Sequence, residues 1–405
     1  MKIKKLLSLA AALAVCCSML VSCGEGGSSS QTETAASQAE TSAAVTSAPA
    51  ETQAPTTTEK AAPAAPEWTT DPAVRITAEG TDLIVGGEKV FLNGMNTPWN
   101  NWNDFGGKYS SNYWEKLFKA MHENGQNAAR VWITCSGDVG IEIDDSGMVT
   151  GATAKHWHDL DSLFEIAEKN QIYIMATLMS FDHFKDANNN HMKWRAMVQN
   201  NDAIDSYVNN YVIPFCERYD KNEYLFSIDL INEPDWVIEN EECGKLKWDA
   251  MGQYFARASA AIHEHSEILV TVGFAMIRYN SDTKGTNYGS DEYLQGLCGS
   301  DKAYLDFWSP HFYTWMKQWM GMPFKQSAED FGMDLTKPRI IGECEVKGVN
   351  EGKDATLEEC YQSLYDEGWC GIMPWTTDTV VPKGEVLTYV FPVATPFFEK
   401  YHNRR

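Results

Sequence analysis

The stretch Leu225-Phe226-Ser227-Ile228-Asp229-Leu230-Ile231-Asn232-Glu233-Pro234 is a short β-rich run that ends on two polar side chains and a proline. Proline has no backbone N–H to give a sheet, so it stops the strand and leaves Asn232 and Glu233 at its tip. A second run, Pro338-Arg339-Ile340-Ile341-Gly342-Glu343, ends on another carboxylate. Similar runs occur at Phe91-Gly94, Ala128-Ile133, Ile172-Leu178, Ile268-Val272, Leu305-Ser309 and Gly371-Pro374, making eight candidate strands. Amphipathic segments lie between them, at Tyr113-Asn124, Leu160-Lys169, Ala203-Tyr219, Trp248-His265 and Leu357-Glu367. Strand and helix in alternation predict parallel β/α units. A doubly wound sheet would carry a Gly-rich phosphate turn after its first strand, and none is present. Polar or aromatic clusters instead follow nearly every strand, which predicts a closed (β/α)8 TIM barrel with its site at the C-terminal ends of the strands. Arg75 to Val90, apolar on either side of Gly86-Gly87, reads as a hairpin plugging the barrel bottom.

In an eight-fold barrel the fourth and seventh strands face each other across the mouth, so Glu233 and Glu343 form a pair. Two carboxyl groups, one protonated and one ionised, are what glycoside cleavage requires. The 14 tryptophans fit this chemistry: Trp99, Trp102, Trp236, Trp315 and Trp319 fall in loops after strands one, four and six, where exposed rings can stack on successive sugars. Asp182 and His183, after strand three, are candidates to bind a hydroxyl. A net charge of -23 repels polyanions, so nucleic acid is not an expected partner.

Asn232-Glu233-Pro234, Ile341-Gly342-Glu343, His311-Phe312-Tyr313 and Arg130 together resemble the signature set of glycoside hydrolase family 5, over the whole of Glu67 to Arg405. Arg130-Val131-Trp132-Ile133, the run Asp144 to Gly151 and Asp229 to Pro234 are similar to a β-mannanase branch of that family. The resemblance implies a retaining enzyme with Glu233 as acid/base, Glu343 as nucleophile and Asn232 as donor to the sugar 2-hydroxyl. It further implies that Arg130 keeps Glu343 ionised, that Tyr313 hydrogen-bonds it, that His311 lines the same subsite and that Trp375 floors it. Cys344 and Glu345 depart from the family pattern, in which an aromatic residue and Gly commonly follow the nucleophile. Strand alternation turns Glu345 to the same side as Glu343, and the Gly342-Glu343 register selects Glu343. An endo-β-1,4-mannanase is the expected activity. An endo-β-1,4-glucanase of the same family, or a non-catalytic glycan-binding protein, are the alternatives.

Met1 to Lys5 carries three lysines ahead of the apolar run Leu6 to Leu20, as in a secretory signal peptide. Leu20-Val21-Ser22-Cys23 resembles a bacterial lipobox, which implies acylation at Cys23. Residues 24–66 are almost all Ser, Thr, Ala, Gln, Glu, Gly and Pro, a composition that builds no core and reads as a disordered linker. The expected organisation is therefore a signal peptide (1–23), a linker (24–66) and a catalytic domain (67–405). Such a monomer is tethered to the outside of the cell envelope and acts on a β-linked polysaccharide. Seven cysteines beyond Cys23 show no zinc spacing and read as free thiols. His156-Trp157-His158 and His263-Glu264-His265 lack a complete ligand set, so neither metal nor cofactor is expected.

Overall fold

The computed structural model describes residues 63–68, 71–376 and 385–401. The expected signal peptide, Cys23 and the linker up to residue 62 lie outside the described residues. Eight parallel strands form one sheet: β1 (Leu92–Asn96), β2 (Ala128–Trp132), β3 (Tyr173–Thr177), β4 (Leu225–Asn232), β5 (Leu269–Gly273), β6 (His311–Phe312), β7 (Ile341–Glu345) and β8 (Gly371–Trp375). Their order in the sheet is β5-β4-β3-β2-β1-β8-β7-β6, a continuous arc whose two ends curl together. Helices such as Ser111–Glu123, Ala154–Asn170 and Trp248–His265 cover the outside. The architecture is a (β/α)8 TIM barrel.

Side chains alternate along each strand, and the alternation separates two cores. Ala129 and Val131 of β2, Ile174 and Ala176 of β3, and Ile228 and Leu230 of β4 face the helices. Leu92, Ala128, Tyr173, Phe226 and Met373 face inward and pack against Ile76, Leu83 and Val85. Those last residues belong to an antiparallel hairpin, Ile76–Glu79 with Asp82–Val85, which closes the bottom as its sequence suggests. Higher in the interior the inward residues become polar: Asn96, Arg130, Thr177 and Asp229 are all fully buried. A dry apolar floor thus carries a polar layer at the mouth.

The sixth strand departs from expectation. Leu305–Ser309 forms no ladder beyond a single bridge between Trp308 and Arg339, and regular pairing begins only at His311. Two local features explain this. Pro310 offers no N–H, and the Asp306 carboxylate takes the Val270 N–H at 2.6 Å, replacing a ladder bond. The β5–β6 seam is closed by Asp306 N to Val270 O and His311 N to Phe274 O, both 2.8 Å. The helix expected over Ala203–Tyr219 contains a wide π turn at Val208–Val212 just before Pro214, whose missing N–H would leave the Asn210 carbonyl without a partner in an unbroken α-helix.

Residues 63–66, expected in the linker, lie against the barrel. Arg218 donates to the Pro63 and Ala64 carbonyls at 2.9 and 3.0 Å. Trp68 donates its indole N–H to Arg218 O and leans on Tyr219. Ordered contact therefore starts ahead of Glu67. The seven described cysteines are free thiols.

Candidate active site

β4 places Glu233 at the mouth in an unusual backbone state. Its φ is 51°, the left-handed region that costs a non-glycine residue about 1 to 3 kcal/mol. The Glu233 amide is tied to Gly273 O at 2.7 Å, which fixes this turn. Its Oε1 lies 3.0 Å from His311 Nδ1, and its Oε2 accepts from Trp236 Nε1 at 3.0 Å. β7 delivers Glu343 opposite, within 4.8 Å of Glu233 between carboxylate oxygens.

Arg130 organises the nucleophile side. Its guanidinium donates to Glu343 Oε1 at 2.6 Å, Asn232 Oδ1 at 2.9 Å and Asn96 Oδ1 at 3.0 Å, and twice to Asp229 Oδ2 at 2.7 and 3.0 Å. Asn96 is aimed by its own amide, which donates to Gly342 O and Met373 O at 2.8 Å each. Asp229 also accepts from Thr177 Oγ1 and from Gly273 N. Asn232, with its oxygen held by Arg130, keeps its NH2 group as the donor side. Tyr313 donates to Glu343 Oε2 at 2.7 Å.

Burial pushes the Glu233 carboxyl up to about 7, opposed by the Arg130 charge and the Trp236 N–H. Burial raises Glu343 as well, opposed by His311, Arg130 and the Tyr313 hydroxyl. The lowering expected from Arg130 is therefore present but outweighed. Within the pair, Glu343 alone has a guanidinium at 2.6 Å, so a single negative charge rests there and the proton on Glu233. Burial lowers His311 to about 4, leaving it neutral at pH 7. Its Nε2 is buried without a partner, so Nδ1–H donating to Glu233 is the tautomer with the smaller penalty. Glu233, His311 and Glu343 could in principle converge on a cation, but Arg130 already supplies positive charge to Glu343.

No family model matches the sequence. Likeness instead extends along whole relatives. The mannan endo-1,4-beta-mannosidase of Cryptopygus antarcticus is 28% identical over 343 residues, covering 76% of this chain and 86% of the relative. That of Mytilus edulis is 26% identical over 339 residues, covering 77% and 90%. The solved β-mannanase of the blue mussel Mytilus edulis superposes with a TM-score of 0.72 at 23% identity over 82% of this chain and 98% of its own. The β-1,4-mannanase of the sea hare Aplysia kurodai gives 0.72 at 24% identity over 81% and 98%. The chain is thus similar in sequence to two mannan endo-1,4-beta-mannosidases over about three quarters of its length, and it shares the barrel fold of the solved β-mannanases.

An aromatic wall stands on one side of the mouth. Trp99 lies 4.7 Å from Trp102, 5.1 Å from Trp132 and 5.9 Å from Trp375, mostly edge to face. Trp102 is 43% exposed, and its indole donates to Ser136 Oγ. Trp236 and Trp315 lie 6.1 Å apart beyond Glu233. Trp315 and Trp319 are 45% and 67% exposed. His183 requires correction: it is fully buried between Thr134 Oγ1 and the Ser180 amide, edge-on to Trp194, and cannot reach a sugar. Burial holds its pKa near 3. Asp182 stays near the mouth, with its oxygens engaged by Lys185 and Ser180. Glu345 turns instead to Thr314, accepting from its amide and its hydroxyl.

Sequence reasoning missed Asp229, Asn96 and Trp132 as parts of the site. Asp229 carried a usable signal: a carboxylate amid Ile228 and Leu230 must have a buried partner.

Proposed function

We propose that the protein is an endo-acting β-1,4-mannanase that cleaves a β-linked polysaccharide by double displacement with retention. The observation that carries the mechanism is the approach of the Glu233 and Glu343 carboxylate oxygens to within 4.8 Å, which leaves no room for a water between nucleophile and sugar. Substrate class follows from the two relatives named as mannan endo-1,4-beta-mannosidases.

In the first step Glu343 attacks the anomeric carbon while Glu233 gives its proton to the departing glycosidic oxygen. Arg130 and Tyr313 hold the attacking carboxylate in place. Asn232 presents its NH2 to the sugar 2-hydroxyl, and Trp375 lies beneath the ring. Once Glu343 is esterified its charge is gone, so Glu233 ionises more readily; it takes a proton from water as the water oxygen attacks the same carbon, and the bond to Glu343 breaks to release that carboxylate. Trp99 and Trp102 on one side, and Trp236 and Trp315 on the other, serve as stacking surfaces for flanking sugars.

Reducing-sugar release from linear mannan, carboxymethyl-cellulose and mixed-linkage glucan tests the substrate. Rapid release from mannan is the expected result, and turnover of the glucans without mannan would overturn it. No described helix is long and apolar enough to cross a membrane. We place the enzyme outside the cell, held as a monomer by a lipid on Cys23. Cys23→Ala should free it from the membrane fraction with its activity intact.

A further inference from the structure

Each oxygen of the Glu233 carboxyl faces a fixed N–H, His311 Nδ1 on Oε1 and Trp236 Nε1 on Oε2, both at 3.0 Å. The backbone that carries the indole is anchored on both sides. Trp236 sits in the helical turn that follows Pro234, where its amide bonds Glu233 O at 3.2 Å and its carbonyl accepts from Asn240 N at 3.0 Å. Its ring leans on Trp315. The side chain is only half-buried, so packing alone does not require its N–H to turn inward. It lies three positions after Glu233, whose backbone is left-handed, and the indole N–H reaches back over that turn to the carboxyl.

We infer that Trp236 is a positioning residue for Glu233: its indole N–H fixes the plane of the carboxyl and favours the ionised form needed when Glu233 activates water. This goes beyond stacking on a sugar, which uses the ring face and leaves the N–H free. The inference rests on the reading of Glu233 as acid/base. Burial drives Glu233 up to about 7, and the Trp236 bond is among the contacts that oppose it. Arg130, Asp182, Lys185, Asp235, His311, Tyr313 and Glu343 also act on Glu233 from the surrounding strands and loops, and a change at Trp236 leaves them all in place.

The test is Trp236→Phe, which keeps a ring and removes the donor. The pH dependence of kcat/KM on mannohexaose is compared with that of the wild type. Losing a hydrogen bond to the charged form should move the alkaline midpoint up by about one pH unit. On a dinitrophenyl β-mannobioside, whose leaving group needs no proton, kcat should fall roughly tenfold, because the base-assisted second step limits turnover. Trp315→Phe should leave the midpoint where it is. A midpoint does not depend on how much of a variant folds, so a poorly folding sample still reports. An unmoved midpoint in Trp236→Phe overturns the inference. Azide rescue of Glu233→Ala on the aryl glycoside separates the two failures. Rescue with an unmoved midpoint refutes the role of Trp236 alone, whereas absence of rescue refutes the acid/base reading and this inference with it.

Discussion

Arg130 divides one guanidinium among Asn96, Asp229, Asn232 and Glu343, and it is fully buried while doing so. Removing its charge leaves two carboxylates facing each other in a site with little water. Arg130→Met should therefore cost about 3 to 5 kcal/mol of stability, read from urea unfolding, and abolish turnover. Arg130→Lys restores charge but not the planar fork, so it should recover stability better than activity. Glu233 gives a pH prediction. Its folded value of about 7 lies above its ordinary 4.5, so the proton is held more tightly in the folded chain. The group favours folding fully below about pH 4.5 and loses that contribution as the pH rises through 7. Glu233→Gln should accordingly unfold at a higher temperature than wild type at pH 8, by an amount on the order of 3 kcal/mol at most, with little difference at pH 4. Equal melting at pH 8 would contradict the raised value. Glu233 stands out in the sequence because Pro234 stops its strand and Glu343 because it closes an apolar run, whereas Arg130, His311 and Tyr313 are singled out only by the family resemblance; the structure brings all five together. The sequence does not say what Asp229 pairs with, since its partner lies 99 positions away on β2.

At the scale of elements, six of the eight strands fall within a residue or two of where apolar runs place them, and the seventh is shifted onward to Ile341–Glu345. The sixth does not, because Pro310 and the Asp306 side chain replace ladder bonds that periodicity assumes. His183 misled for a related reason: proximity to a strand end does not say which way a short 3-10 turn points its side chains. The β6–β7 contact depends on a missing side chain. A Cβ on Gly342 would lie 2.4 Å from Ser309 Oγ and 3.0 Å from Ser309 O, so the strands could not keep their approach. Gly342→Ala should destabilise by roughly 1 to 3 kcal/mol and lower kcat, because Glu343 is the next residue. Wild-type unfolding and kinetics in that variant would show that the strands can part to admit a methyl group. The π turn before Pro214 was invisible to the amphipathic pattern, which shifts by only one residue there.

For the whole molecule, a dry floor built from alternate strand residues and a hairpin supports a polar ring, and the ring holds two carboxyl groups in unlike surroundings. One sits beside a guanidinium and a phenol, the other beside neutral N–H groups. Their closeness and their asymmetry together support acid and nucleophile in a single pair. Stereochemistry tests that pairing most directly. Mannohexaose should be followed by proton NMR from the first seconds of hydrolysis, before mutarotation mixes the anomers. The account predicts that the β-anomer of the new reducing end appears first and the α-anomer only later. First appearance of the α-anomer would mean that water attacks directly, and would contradict the assignment of Glu343 as nucleophile.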